Sequence, residues 1–147
     1  MNNLFDNPSF VAAFFGWLTA QTIKFTWNLI TTHKLDFSYI ISTGGMPSAH
    51  CAAVSALAAS VGIIEGISSS LFAVALAFAL IVMFDAQSVR RAAGQQARIL
   101  NKIVEELFKE HHLSKQKLAE LLGHTRLEVL AGTVLGVSIA FAVHHWW

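Results

Sequence analysis

The chain has 147 residues, 54% of them hydrophobic and 13% charged. Soluble domains carry about 25% charged residues, so the shortage excludes a disordered chain and points to one membrane-resident domain. A net charge of +1 argues against a nucleic-acid partner, and the one cysteine, Cys51, excludes a disulfide framework and a thiolate metal cluster.

Apolar runs nearly free of charge mark four expected membrane-spanning helices, because about 20 residues cross a bilayer core. The first covers about 10–30, with Asn7 as its cap, Pro8 in its first turn and Lys24 near its far end. No Lys or Arg precedes Lys24, so this segment lacks the basic start of a secretory signal and is expected to stay in the mature protein. The second (48–64) is rich in Ala, Ser and Gly, and the third covers 68–84. Both are near the lower length limit for a span, and Glu65-Gly66-Ile67 joins them as a tight hairpin. A polar stretch follows. Its helix at about 88–111 places Val89, Ala93, Leu100, Ile103 and Leu107 at helical period, which suits the membrane surface. A shorter helix is expected at 114–122. The fourth span, 127–147, opens at Thr125 with Glu128 three residues on, a capping-box pattern. Gly132 and Gly136 suit close helix contact, and Trp146 and Trp147 suit an interface. The fold class is thus all-α, with four transmembrane helices and one or two interfacial helices in a single domain over 1–147.

Charge sets the expected topology. Lys24 and Lys34 flank the loop between spans one and two, and the other eight basic residues lie between spans three and four. The positive-inside rule makes both loops cytoplasmic and turns both termini outward. Three polar clusters then face that side: Thr43–His50, Asp85–Arg91 and Gly123–Glu128. Together with Lys24 they suit a phosphate. Helix starts at Ser48 and Thr125 offer free N–H groups, and Gly44-Gly45 lets backbone amides approach an anion. Arg90 and Arg91 can fork onto phosphate oxygens, and His50 and His124 can divide the work of nucleophile and general acid.

Each of these residues also has a plainer reading. His50 reads as an interfacial side chain, His124 as part of a helix stop, and Glu128 as the capping partner of Thr125. Lys24 reads as a snorkelling lysine, Arg90 and Arg91 as topology charges, and Asp85 as their salt-bridge partner. Cys51, Ser55 and Ser138 read as small residues of the bundle interior. His111, His112, His144 and His145 read as solvated or interfacial.

The blocks GGMPSAH, FDAQSVRRAAGQQARILN and LLGHTRLEVLAG together resemble the divergent branch of the type 2 phosphatidic acid phosphatase superfamily. The resemblance covers about residues 20–140. It implies that His124 is a nucleophile forming a phosphohistidine, with Glu128 orienting it where the family has Asp. It implies that His50 is the general acid, that Ser48 and the Gly45 region hold phosphate oxygens, and that Lys24 matches the lysine of the first family motif. The implied reaction is metal-independent hydrolysis of phosphomonoesters or pyrophosphates, usually on lipids, without a cofactor. Two features depart from the pattern: no Arg-Pro pair follows Lys24, and no Ser-Arg precedes His124. Arg90 and Arg91, with Asp85 in support, are expected to supply the missing guanidinium groups.

The function expected is a lipid phosphatase of a bacterial inner membrane, with its site on the cytoplasmic side. Substrates in order are phosphatidylglycerophosphate, phosphatidic acid and polyprenyl (pyro)phosphate. The partners are the lipid phosphate and the bilayer, with a homo-oligomer left open. The alternative is a non-catalytic membrane protein that binds anionic lipid or a partner protein. A transporter is disfavoured, since spans two and three carry no charge between His50 and Asp85 except Glu65 in the turn.

Overall fold

A computed structural model describes residues 3–32, 45–107 and 124–146; for 89–93 and 105–107 it describes the backbone alone. A short 3-10 turn, Leu4–Asp6, leads into α1 (Pro8–Thr32). There follow α2 (Ala49–Glu65), α3 (Ser70–Gln87), α4 (Val89–Leu107) and α5 (Arg126–Trp146). The described residues are helical or irregular, in keeping with the all-α expectation. The expected helix over 114–122 lies outside them, as do His111 and His112.

Local chemistry sets the helix ends. The Asn7 side chain accepts from Ser9 N–H (2.9 Å) and Phe10 N–H (3.3 Å), which caps α1, and Pro8 takes the first helical position, where no N–H is needed. The Ser48 hydroxyl accepts from Cys51 N–H at 3.4 Å and caps α2. The hairpin after α2 turns on Gly66, whose φ of +82° is a conformation glycine adopts without a Cβ penalty. The Ser69 hydroxyl then donates to Gly66 C=O and accepts from Phe72 N–H, starting α3.

α2 is the central element and packs against α1, α3 and α5, while α1 also touches α5. Among the described elements, α4 packs only against α3. The interior consists of small side chains. Ala12, Ala56 and Ala140 meet where α1, α2 and α5 cross, and Ala20, Ala49 and Ala52 meet one level further along. Gly132 and Gly136 of α5 lie on the backbone of α2. A Cβ at either would run into a carbonyl oxygen, that of Ser48 or of Ala52. A Cβ at Gly16 of α1 would come within 2.9 Å of the Ala52 oxygen from the other side. Backbone-to-backbone contact of this kind is how helices gain dispersion energy where there is no water to expel.

The large apolar residues point outward. Val74, Phe78, Ile81 and Phe84 of α3 are exposed, as are Leu127, Leu130, Val134 and Phe141 of α5. This inverts the usual partition of a water-soluble domain. α3 and α5 are also long and apolar enough to cross a membrane by length and composition, while α2 is apolar but shorter.

Two expectations need correction. Of the solvated or interfacial reading of His144, the solvated half does not hold: the side chain is half-buried. Its Nε2 lies 2.8 Å from the Ser60 hydroxyl, which also bonds the Ser9 hydroxyl at 2.9 Å. One chain of polar contacts therefore ties α5, α2 and α1 at the end of the bundle away from Lys24. Ser138 is exposed and donates to Val134 C=O; the angular period of α5 turns it to the outside. Cys51 and Ser55 are buried as expected.

Replacing Gly136 by Val should destabilise the protein by about 3 kcal/mol or more, because the added atoms meet backbone that has no room to yield. Ser138→Val should stay within about 0.5 kcal/mol of the parent. Thermal unfolding of the two variants in detergent checks the contrast.

Candidate functional site

The last turns of α1, the start of α2, the end of α3 and the start of α5 lie at one end of the bundle. Two backbone hydrogen bonds between elements fasten them. Ser48 N–H donates to Glu128 C=O at 3.0 Å, and His124 N–H donates to Ala86 C=O at 3.1 Å. Cys51, Ala86 and Val129 pack together beneath. A residue just ahead of α5 is thus pinned to the end of α3, and the start of α2 to the first turn of α5.

His124 is 3% exposed. Its Nδ1 lies 2.7 Å from Glu128 Oε2. The same carboxylate oxygen accepts from Thr125 N–H at 3.3 Å, while Glu128 N–H donates to the Thr125 hydroxyl at 3.3 Å. Glu128 therefore closes the capping box and bonds the histidine ring at once. An ionised carboxylate only accepts, so the proton on the shared bond belongs to Nδ1. In the neutral ring this leaves the lone pair on Nε2. That atom is buried and has no hydrogen-bond partner among the described residues.

Lys24 supplies the nearby cation. It is 5% exposed on α1 and interacts electrostatically with Glu128. Gly45, at φ +91°, lies against the lysine stem; a Cβ there would sit 3.5 Å from Lys24 Cδ. Ser48 is fully buried, and its hydroxyl oxygen serves the α2 cap, which leaves the hydroxyl hydrogen to donate.

The fold thus gathers His124, Glu128, Lys24, Gly45 and Ser48. His50 stands in the first turn of α2 with its side chain exposed, on the rim of this group and not in its buried centre. Asp85 is half-buried in the last turn of α3, next to the Ala86 carbonyl that holds His124. Arg90 and Arg91 fall in the first turn of α4, and their side chains lie outside what is described, as does Gly44. Two elements of the site were missed in the sequence. The first is the Ala86 carbonyl, which has no side-chain signal. The second is a polar stripe along α1, Gln21, Lys24 and Asn28, all buried. Its spacing of three and four residues inside an apolar helix is a signal that reading Lys24 alone overlooked.

Glu128→Ala should lose both the cap and the histidine partner, costing about 1–2 kcal/mol in unfolding free energy. Glu128→Gln keeps a capping-box side chain and should cost under about 1 kcal/mol. 15N-histidine spectra should nonetheless show the His124 tautomer shifting away from Nδ1–H in the Gln variant. Equal stability losses in the two variants, or an unmoved tautomer, would contradict the dual role.

No solved structure matches the chain. A Bacillus subtilis (strain 168) protein named "Uncharacterized membrane protein YuiD" is 44% identical over an alignment of 138 residues, which covers 86% of this chain and 87% of that one. Residues 5–139, which include the whole gathered group of His124, Glu128, Lys24, Gly45 and Ser48, match the family described as "Divergent PAP2 family". The chain belongs to the divergent PAP2 family.

Proposed function

We propose that the protein is a membrane-embedded lipid phosphate phosphatase that works through a phosphohistidine on His124. The observation that carries this reading is the buried, unpartnered Nε2 of a histidine whose Nδ1 is held by a carboxylate, close to a buried lysine. A nucleophile needs an unengaged lone pair and a partner that stabilises the charge formed on attack, and this pair offers both.

In the proposed reaction, Nε2 attacks phosphorus, and the phosphorus–oxygen bond to the alcohol breaks. The leaving oxygen takes its proton from His50. Glu128 stabilises the imidazolium side of the phosphohistidine through Nδ1–H. Water then attacks phosphorus, yields its proton to His50, and the phosphorus–nitrogen bond breaks to release inorganic phosphate. Lys24, the Ser48 hydroxyl, the backbone near Gly45 and the Arg90 and Arg91 guanidinium groups would hold the equatorial oxygens. Asp85 would support those arginines. No metal or cofactor takes part in this scheme.

Membrane residence is supported by the outward-facing apolar residues, by α3 and α5, and by the name of the Bacillus relative. We read α1, α2, α3 and α5 as four crossings, with α4 at the surface and the site on the cytoplasmic side of a bacterial inner membrane. A site at the ends of spans meets phosphate headgroups, so phosphatidylglycerophosphate, phosphatidic acid and polyprenyl (pyro)phosphate are the substrates to try.

One observation favours a second reading, an anionic-lipid binder without turnover. Nε2 is sealed from solvent, so a substrate must displace its cover before attack.

Purified protein in detergent with EDTA should release phosphate from at least one of these lipids. His124→Ala should lower kcat by about 10³-fold or more, and His50→Ala by about 10²-fold. Absence of turnover on every lipid, with lipid binding retained in His124→Ala, would establish the binder instead.

A further inference from the structure

A cavity of about 240 Å³ opens beside Lys24, lined by Lys24, Trp27, Asn28, Thr31, Thr32, Gly45 and Met46. We propose that it receives the alcohol half of the substrate, and that the Asn28 amide selects phosphate esters whose alcohol carries hydroxyl groups. This deepens the phosphatase reading and rests on it for the place of the phosphate.

Asn28 is the polar side chain of this wall next to Lys24. It is 7% exposed, one helical turn beyond Lys24 on the same face of α1. Its backbone carbonyl accepts from Thr31 and Thr32, but its side chain makes no hydrogen bond among the described residues. The residue is buried, but its amide atoms open onto the cavity, so their hydrogen-bonding capacity is turned to whatever fills that space. Toward the other end of α1 the buried positions include the small residues Ala12, Gly16 and Ala20, whereas Gln21, Lys24 and Asn28 form a polar stripe toward the site.

The wall next to it is chemically selective. The Thr31 hydroxyl gives its hydrogen to Trp27 C=O at 2.8 Å, so toward a ligand it only accepts. Thr31 and the Asn28 carbonyl oxygen therefore call for donors, and the Asn28 NH₂ calls for an acceptor. A hydroxyl satisfies both kinds of partner. An ammonium headgroup would face the Lys24 charge, and a hydrocarbon chain would leave the Asn28 amide unpaired. Lys24 belongs to both the cavity wall and the His124–Glu128 group, so a phosphate held by Lys24 would carry its alcohol into this space. Trp27, largely exposed at the mouth, suits the headgroup level of a bilayer. At about 30 Å³ per water the cavity equals some eight waters, room for a three- or four-carbon diol.

The test uses two phosphonates that hydrolysis does not consume, 3,4-dihydroxybutylphosphonate and n-butylphosphonate, titrated into the detergent-purified full chain by calorimetry. The diol should bind at least about tenfold more tightly. Asn28→Leu should abolish that preference, and Thr31→Val, which preserves helix packing, should reduce it about threefold or more. Equal affinity in the parent protein, binding of neither compound, or a preference that survives in both variants would overturn the proposal. Failure of the phosphatase reading looks different: the diol preference would stand while no lipid phosphate is turned over.

Discussion

The close approach of α2 to α5 is the constraint on which the site depends. Gly132 and Gly136 let the α5 backbone lie directly on the carbonyls of Ser48 and Ala52. At that separation Ser48 N–H reaches the Glu128 carbonyl. The bond fixes the first turn of α5 against the first turn of α2, and Glu128 with it. From there the carboxylate holds His124 Nδ1, and the Ala86 carbonyl holds the His124 backbone. Larger residues at the two glycines would push the helices apart and separate the parts of the site before changing any residue in it.

The same small-residue interior explains how a short chain gathers a buried polar group. Burying Lys24, Asn28 and His124 together is unfavourable unless they find partners or a ligand. Alanine and glycine bring the backbones close enough that carbonyls and N–H groups serve as part of the lining, and the bulky residues are left for the outside. At the other end of the bundle, Ser9, Ser60 and His144 tie α1, α2 and α5 by hydrogen bonds. The bundle is thus pinned by polar contacts at both ends and by van der Waals contact between, which leaves the functional end little freedom to spread.

Features set by a few neighbouring residues were legible in the sequence. The Asn7-Pro8 start, the Ser48 cap, the Gly66 hairpin and the Thr125–Glu128 box all involve partners within four positions, and all are present. The helix bounds shift by only a few residues, because the apolar runs end at these local signals. The His124–Glu128 pair was legible as a motif, with the histidine just ahead of α5 and the glutamate in its first turn. What stayed hidden depends on contacts distant in sequence. His144 reads as a terminal solvated or interfacial residue until Ser60 is seen across from it, 84 positions away. The spacing of Gln21, Lys24 and Asn28 is visible in the sequence, but the cavity that Gly45 and Met46 close beside Asn28 is not. The Ala86 carbonyl carries no signal in any side chain.

The central claim is that His124 Nε2 takes the phosphoryl group. The most direct test is to mix the purified protein with a 32P-labelled lipid phosphate, quench in alkali within milliseconds to seconds, and map the label by mass spectrometry. The account predicts acid-labile, alkali-stable phosphate on His124, absent when Glu128 is replaced by alanine or when substrate is withheld. Steady phosphate release with no label at His124 in a time course that resolves single turnovers would contradict it.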